Sequence, residues 1–189
     1  LVGYGGFSSS NYLERPYGGV ALAPGTGQYS VSCWFKTGST SSDQYIFDRS
    51  VDGSPRNLLL IRGSSSSPAN VLQFYHVDAS GNQSDLIASD FTVTDDAWHH
   101  VVALCDGSTY RVYVDGSASA TTNSTIRDVD NTDTPPLYVG VRYSETSPML
   151  GRLALLRYSL SAPSPEQIKK MYEDEKVLFQ ENAKATLYG

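Results

Sequence analysis

Short runs of alternating hydrophobic and polar residues follow one another along most of the chain. The stretch YSVSCWFK, residues 29–36, places its tyrosine, valine, cysteine and phenylalanine on one face and its serines, Trp34 and lysine on the other. Alternation with a period of two is typical of a β-strand that buries one face. The stretch WHHVVALCDGSTYRVYVDG, residues 98–116, alternates on both sides of an Asp-Gly pair and therefore predicts a hairpin.

Further strands are predicted wherever the same pattern returns. Gly, Pro, Asp, Asn and Ser, which favour turns, separate these stretches from one another. The remaining predicted strands cover residues 44–50, 57–63, 71–78, 85–93, 137–143 and 151–160. Seven or more short strands at close spacing favour an all-β sandwich.

One amphipathic helix is predicted near the end of the chain, in SPEQIKKMYEDEK. Ser164 is placed to cap the helix, Pro165 occupies its first position, and Gln167 completes a capping box. The apolar residues of one helical face are Ile168, Met171 and Tyr172. We therefore expect the helix to pack against the sandwich.

The length of 189 residues and the 40% of hydrophobic residues suit a single domain with a substantial core. We predict one domain over residues 1–176 and an extended segment over 177–189 that leads to a following region. Because the sequence begins with leucine, we expect it to be a piece of a longer protein.

The charge of the chain bears on the class of partner. With 20 acidic and 14 basic residues, the net charge is −6, which argues against binding to nucleic acid. No apolar run approaches the roughly 20 residues that a membrane span needs, so no membrane insertion is predicted. Cys33 and Cys105 each share the parity of their apolar neighbours, which favours buried free thiols over a disulfide.

Five stretches in order carry a family resemblance: FSSSNYLERP, YSVSCWFKTGS, WHHVVALCDGSTYRVYVDG, PLYVGVRY and GRLALLRYSLSAPSPEQIKKMY. Over roughly residues 7–175 the chain resembles the laminin-G-like domains of the concanavalin A-like lectin/glucanase superfamily. The resemblance implies a jelly roll of two curved antiparallel sheets, with ligand sites on the connecting loops. The family often has acidic residues where this chain has Ala154 and Leu155, so these two receive no polar role.

Glycoside hydrolysis requires two carboxyl groups that face each other across a sugar. The glucanase relatives carry them in a Glu-x-Asp-x-x-Glu strand, and the sequence contains no such string. His99 and His100 are adjacent in a predicted strand and so point to opposite faces, which disfavours a shared catalytic or metal centre. We predict that the chain is not an enzyme, with a glycosidase as the less favoured alternative.

Two groups of acidic or amide side chains are candidates for calcium, a cation that prefers oxygen ligands. The first group comprises Asp128, Asp130, Asn131 and Asp133. The second consists of Asp48 and Asp52. The alternative is that these residues simply favour turns.

Sugar recognition commonly uses aromatic rings as platforms, and the chain has 13 tyrosines. The candidate ligand-binding residues are Trp34, Tyr45, Tyr75 and Tyr143. Trp34 points away from the predicted core and either stacks on a sugar or is covered by another segment; the resemblance favours the covered position.

These observations predict a non-catalytic module that binds a glycan or a cell-surface protein through loops 43–53 and 128–136. We expect it to belong to a larger extracellular or virion protein, with a homo-oligomer in that assembly as a further expectation. The ending KKMYEDEKVLFQENAKATLYG is similar to junctions in tailed-phage virion proteins. The alternative is a structural or decoration domain of a virion fibre or tail with no ligand of its own.

Overall fold

A computed structural model describes residues 3–16, 22, 24–50, 55–130 and 135–180. Within these ranges the chain forms short strands, one helix and a final 3₁₀ turn. The strands are β1 (Tyr4–Gly5), β2 (Leu13–Arg15), β3 (Tyr29–Lys36), β4 (Gln44–Ser50), β5 (Arg56–Ile61), β6 (Leu72–Val77), β7 (Gln83–Ala88), β8 (Trp98–Cys105), β9 (Tyr110–Val114), β10 (Ser117–Ala118), β11 (Leu137–Val139) and β12 (Arg152–Ser159). The helix is α1 (Pro165–Glu175), and the 3₁₀ turn spans Lys176–Leu178.

The strands form two antiparallel sheets of six strands each. The first sheet has the order β1-β12-β3-β8-β9-β10, and the second has the order β2-β11-β4-β5-β6-β7. The sheets pack face to face around one large hydrophobic core. This arrangement confirms the predicted all-β, two-sheet jelly-roll sandwich with a short C-terminal helix.

The core is built from the residues that strand alternation points inward. On β3 these are the tyrosine, valine, cysteine and phenylalanine predicted to share a face, and each is at most 1% exposed. The opposing sheet contributes large apolar side chains: Phe47, Leu59, Ile61, Leu72, Phe74 and Leu86. Burial of each such side chain stabilises the fold by about 1.5–3 kcal/mol.

Both cysteines are buried free thiols, as predicted. Cys33 pairs with Val101 across the ladder, whereas Cys105 pairs with Tyr29. The two cysteines therefore lie four positions apart along the same strand pair, about 13 Å at the rise of a β-strand, which is too far for a disulfide. Burial raises the pKa of Cys33 to about 12, so this thiol stays protonated and inert.

Helix α1 begins at the predicted capping box. The Ser164 side chain accepts a hydrogen bond from the Gln167 backbone N–H, while the Gln167 side chain accepts one from the Ser164 backbone. Ile168 is fully buried in a small cluster on the outer face of the first sheet. The cluster contains Val102, Leu104 and Tyr113. The helix thus covers this outer face, as its apolar residues predicted.

The residues after the helix differ from the predicted extended segment. Lys176–Leu178 form a 3₁₀ turn, and the ring of Phe179 stacks on Trp34 at 4.3 Å between centroids. It also contacts Trp98 at 4.8 Å. The chain therefore folds back onto the first sheet at least as far as Phe179; residues 181–189 lie outside the described part of the chain.

The predicted strand over residues 137–143 ends early, at Val139. Gly140 has a φ of +79°, and a Cβ at this position would lie 2.1 Å from the Phe7 ring. A positive φ is costly for residues other than glycine and takes the backbone out of the β region. The chain leaves the sheet at this point, and Tyr143 lies in the turn that follows.

His99 is held between two carboxylates at the start of the long hairpin. Its Nδ1 is 2.8 Å from Asp115 Oδ2, and its Nε2 is 3.0 Å from Asp95 Oδ1. The contact with Asp115 is the main cause that raises the pKa of His99, and burial opposes it. By contrast, burial lowers the pKa of His100 to about 4 and that of His76 to about 3.

We expect the His99 contacts to make stability depend on pH above neutrality. Because the folded pKa exceeds the unfolded value of about 6.5, the stabilisation is complete below pH ~6.5 and is lost as pH rises through the folded pKa. Urea denaturation from pH 6.5 to 9 should show a fall in the free energy of unfolding that is smaller in His99→Gln. His76 and His100 are neutral in the folded state over this range, and their unfolded-state titration near pH ~6.5 is common to both proteins. An equal fall in both proteins would therefore contradict the assignment.

Candidate functional site

The two outer faces of the sandwich differ in what covers them. Helix α1 lies on the first sheet, whereas no helix in the described part of the chain packs on the second. The outer face of the second sheet instead carries a small buried cluster of Tyr45, Leu58 and Leu60, with the half-buried Tyr75 packed against it. This face is the candidate functional site.

Strand pairing places a row of side chains directly across this face. The register joins Tyr138 to Asp48, Asp48 to Leu58, and Leu58 to Tyr75. Cross-strand partners in one row project from the same face of a sheet. Glu14 and Asp85 continue the row at its two ends. The row therefore runs from acidic edge to acidic edge, with Tyr138, the buried Asp48, Leu58 and Tyr75 between them.

Five tyrosines belong to this surface, which we call the tyrosine face: Tyr12, Tyr45, Tyr75, Tyr138 and Tyr143. Leu58 and Leu60 form its apolar floor together with Tyr45, and Tyr75 packs against them. Tyr12 and Tyr138 contact each other with ring centroids 5.8 Å apart. Tyr75, Tyr138 and Tyr143 are half-buried, so part of each ring is open to solvent.

A β-bulge in β4 brings Tyr45 onto this face together with Asp48. The pairing skips Ile46, so that Tyr45 lies opposite Leu60 while Phe47 lies opposite Leu59. Without the bulge, residues three apart would point to opposite faces of the sheet. Strict alternation along the sequence therefore does not reveal that Tyr45 and Asp48 share a face.

Asp48 is a structural centre of the tyrosine face. It is fully buried, and its two carboxylate oxygens accept hydrogen bonds from the Ser50 hydroxyl and, at 3.1 Å, from the Tyr143 backbone N–H. Burial raises the pKa of Asp48, while these hydrogen bonds oppose the rise. The carboxylate thus fixes the turn that carries Tyr143 onto the sheet.

Two arginines lie among the tyrosines. The Arg142 guanidinium is over the ring of Tyr143 at 5.2 Å and over that of Tyr45 at 6.0 Å. Arg56 is over the Tyr143 ring at 5.8 Å. Cation–π contacts of this length hold the charged groups against the aromatic surface. The middle of the tyrosine face is therefore both aromatic and cationic.

Three of the four predicted ligand-binding residues meet on the tyrosine face, although with different exposure. Tyr75 and Tyr143 are half-buried, whereas Tyr45 is only 9% exposed and lies beneath Arg142. Tyr45 accordingly supports the surface more than it presents a ring. Sequence reasoning did not select Tyr12 and Tyr138, because only strand pairing across distant parts of the chain brings them here.

Trp34 occupies the covered position that the resemblance favoured, so its place among the candidate ligand-binding residues is corrected. It is 2% exposed on the opposite side of the molecule, where the ring stacks on Phe179 at 4.3 Å and on Tyr172 at 5.7 Å. Its Nε1 donates a hydrogen bond of 2.7 Å to Glu175 Oε2 in the helix. Trp34 therefore offers no ring face to a sugar, and its role is to anchor the C-terminal helix and turn.

The predicted calcium ligands lie in two separate places. Asp130 Oδ1 accepts a hydrogen bond from Gly25 N at 2.7 Å, and Asp128 Oδ1 accepts one from Asp130 N at 3.0 Å. Asp48 belongs to the tyrosine face, and both of its oxygens are already engaged. Among the described residues, no group of three or more His, Cys, Asp or Glu is arranged to hold a metal.

Three candidates lie outside the described residues: Asn131, Asp133 and Asp52. Calcium binding stays a prediction.

Comparisons with known proteins agree with this architecture. A family model described as the concanavalin A-like lectin/glucanases superfamily, Laminin_G_3, matches residues 7–169. No curated protein matches the chain by sequence. No helix in the described ranges is both long and apolar enough to span a membrane.

Several solved structures share the fold at low sequence identity. Domain 4 of AbnA, an arabinanase from Geobacillus stearothermophilus in complex with arabinotriose, has a TM-score of 0.68 and 20% identity, over 88% of this chain and 74% of that chain. The binding domain of Paraclostridial Mosquitocidal Protein 1 has a TM-score of 0.64 and 12% identity, over 89% of this chain but only 42% of its own. Mouse laminin alpha1 domains LG4-5 have a TM-score of 0.60 and 18% identity, over 81% and 40%.

Proposed function

Because the chain belongs to the concanavalin A-like lectin/glucanases superfamily, we propose that it is a non-catalytic module that binds carbohydrate on the tyrosine face. The observation that carries this proposal is the set of half-exposed tyrosine rings on an outer sheet face that no described helix covers. The apolar C–H face of a sugar ring packs on aromatic rings, while polar groups around them bind its hydroxyls.

Polar groups suited to sugar hydroxyls surround the rings. Gln73 lies beside Tyr75 on the same face of β6, and its Nε2 donates to Asp85 Oδ2 at 3.2 Å. A planar amide next to a carboxylate offers both a donor and acceptors, which matches the hydroxyl pairs of a sugar. On the far side, the Tyr12 hydroxyl donates to Glu145 at 3.0 Å. These pairs support the proposal that the ligand spans the face from β6 towards β11.

The carboxylates on this surface do not favour hydrolysis. Asp48 is buried, and both its oxygens accept hydrogen bonds from the protein. Glu14 and Asp85 are exposed at opposite ends of the row, separated by four strands. Five inter-strand spacings correspond to about 24 Å, whereas the two carboxyl groups of a glycosidase lie roughly 5–9.5 Å apart. We therefore propose that the module binds a carbohydrate without hydrolysing it.

The wider setting of the module is also a proposal. Two of the similar structures are a toxin binding domain and a laminin domain pair, and the AbnA domain belongs to an extracellular enzyme. These likenesses support a binding part of a larger protein that acts outside the cell, with a glycan or a cell-surface glycoprotein as partner. A tail-associated role in a phage virion is one such setting and stays a prediction from the C-terminal sequence.

We expect Tyr75→Ala and Tyr143→Ala each to weaken glycan binding about tenfold, because a central aromatic contact contributes more than about 1 kcal/mol. Binding is measured on a glycan array and then by calorimetry with the best glycan. Tyr4→Ala is the matched control, since Tyr4 is 42% exposed on the edge of the first sheet, away from the face. The proposal fails if no glycan binds, or if Tyr75→Ala and Tyr143→Ala bind as well as the wild type.

A further inference from the structure

We propose that the sugar bound beside Arg142, in the middle of the tyrosine face, is anionic, with a carboxylate or a sulfate group that pairs with this arginine. The inference rests on the proposed carbohydrate binding and specifies the class of sugar. It is carried by the position and surroundings of the Arg142 side chain.

Among the residues that the structure describes, none accepts a hydrogen bond from the Arg142 guanidinium group. In the described part of the chain, the group makes no hydrogen bond or ion pair, and its contacts are the rings of Tyr45 and Tyr143. It is half-buried, so it is partly shielded from water. A guanidinium carries five N–H donors in a planar fork that matches carboxylate and sulfate geometry. The stacked position holds this fork on the ligand side of the aromatic rings.

The nearby carboxylate does not neutralise this position. Asp48 lies below the surface, and its oxygens are occupied by Ser50 and by the backbone of Tyr143. Arg56 brings a second positive charge to the Tyr143 ring. Burial raises the pKa values of Asp48 and Tyr45, and the positive charges of the two guanidinium groups oppose both rises. The Arg142 guanidinium, which makes no ion pair with the described residues, therefore places a positive charge at the centre of the face.

The other acidic groups around the face limit where an anion binds. The negative charge of Asp43 also raises the pKa of Tyr45. However, Asp43 Oδ1 already accepts a hydrogen bond of 2.8 Å from the backbone N–H of Gly63. Asp85 lies at the β7 edge beside Gln73. Glu14 and Glu145 lie at the other edge, where the negative charges of both raise the pKa of Tyr138. Negative edges around a positive centre favour a glycan in which one acidic sugar is flanked by neutral sugars.

The same charge distribution argues for pairing at one place over general attraction to polyanions. The whole chain has a net charge of −6, which repels a densely charged polymer. A single arginine stacked on tyrosine instead combines ring stacking with one bidentate ion pair. We therefore expect selection for the acidic sugar itself and a modest dependence on salt.

The test uses the full chain and pairs of glycans that differ in one charged group. The carboxylate arms are 3′-sialyllactose against lactose and galacturonate against its methyl ester; the sulfate arm is sulfated galactose against galactose. We expect at least one acidic glycan to bind tenfold or more tightly than its neutral partner. The arm that responds identifies whether carboxylate or sulfate is the source of the charge.

Variants of Arg142 separate the ion pair from stacking. Arg142→Gln should weaken binding of the acidic glycan tenfold or more and leave the neutral partner within twofold. Arg142→Lys should restore only part of the affinity, since lysine lacks the planar fork. Arg111→Gln is the matched control: it removes the same charge from the first sheet, where Arg111 pairs with Asp106 at 3.3 Å. Thermal melting confirms that each variant is folded.

The outcomes distinguish this inference from the proposed function. If neutral glycans bind as tightly as acidic ones, and Tyr75→Ala still weakens them, the anionic ligand is wrong while carbohydrate binding on the face stands. If acidic glycans bind equally well to Arg142→Gln, the inference is also overturned. If no glycan of either kind binds, the proposed function fails and this inference fails with it.

Discussion

Trp34→Ala is expected to lower the free energy of unfolding by about 3–5 kcal/mol, the usual cost of removing a large buried aromatic side chain. The indole is 2% exposed between the first sheet and the C-terminal helix and turn, and it donates a hydrogen bond to Glu175. Its loss also removes the stacking partner of Phe179, so the end of the helix should loosen. Urea denaturation monitored by circular dichroism measures the change.

The same variant tests where the ligand binds. At a temperature where Trp34→Ala is folded, glycan affinity should equal that of the wild type, because the tyrosine face lies on the other sheet. Trp98→Ala serves as the control, since Trp98 is half-buried and contacts Phe179 at a tilted angle. This variant should lower the free energy of unfolding by less than Trp34→Ala does. If Trp34→Ala is as stable as the wild type but no longer binds glycan, the anchoring role is wrong and Trp34 is part of the ligand site.

Gly151→Ala is expected to destabilise the fold by about 3 kcal/mol, at the upper end of what overpacking costs. A Cβ at Gly151 would lie 2.1 Å from the Lys36 backbone oxygen and 3.0 Å from Thr37 Cβ. The backbone has little freedom to retreat, because the next residue, Arg152, pairs with Lys36 in the ladder. The midpoint of thermal unfolding, with the unfolding enthalpy, measures the loss.

Gly81→Ala is the matched control for Gly151→Ala. Gly81 has a φ of +81°, but an added Cβ would meet no atom within 4 Å. Only the backbone cost of about 1–2 kcal/mol for an L-residue in the left-handed region applies there. If Gly151→Ala proves no more damaging than Gly81→Ala, the close approach of β12 to β3 at Lys36 is wrong.

Local patterns were sufficient to predict most of the fold. The strands over residues 29–36 and 44–50 coincide with β3 and β4, and the capping box at Ser164 starts helix α1. These features depend on alternation, turn chemistry and caps, which neighbouring residues determine. The two-sheet arrangement followed from the order of such segments and from the family resemblance.

The composition of the candidate site depended on contacts that a local pattern does not contain. Tyr45 and Asp48 share a face only because of the bulge in β4. Tyr138 reaches them because β11 pairs with β4 across about ninety residues of chain. The polar side of a strand also looks the same whether solvent or a helix covers it, which is why Trp34 had two open interpretations. The predicted loop ligands Asn131, Asp133 and Asp52 lie outside the described residues.

The packing of Phe179 determines on which side of the sandwich the last described residues lie. This ring lies on the outer face of the first sheet, so the backbone at residue 180 emerges on the side of the sandwich opposite the tyrosines. A fusion partner or a sensor surface joined directly at residue 180 therefore leaves the tyrosine face accessible. Copies displayed in this way on a bead or scaffold would all point outward, which suits the multivalent capture of weakly bound glycans.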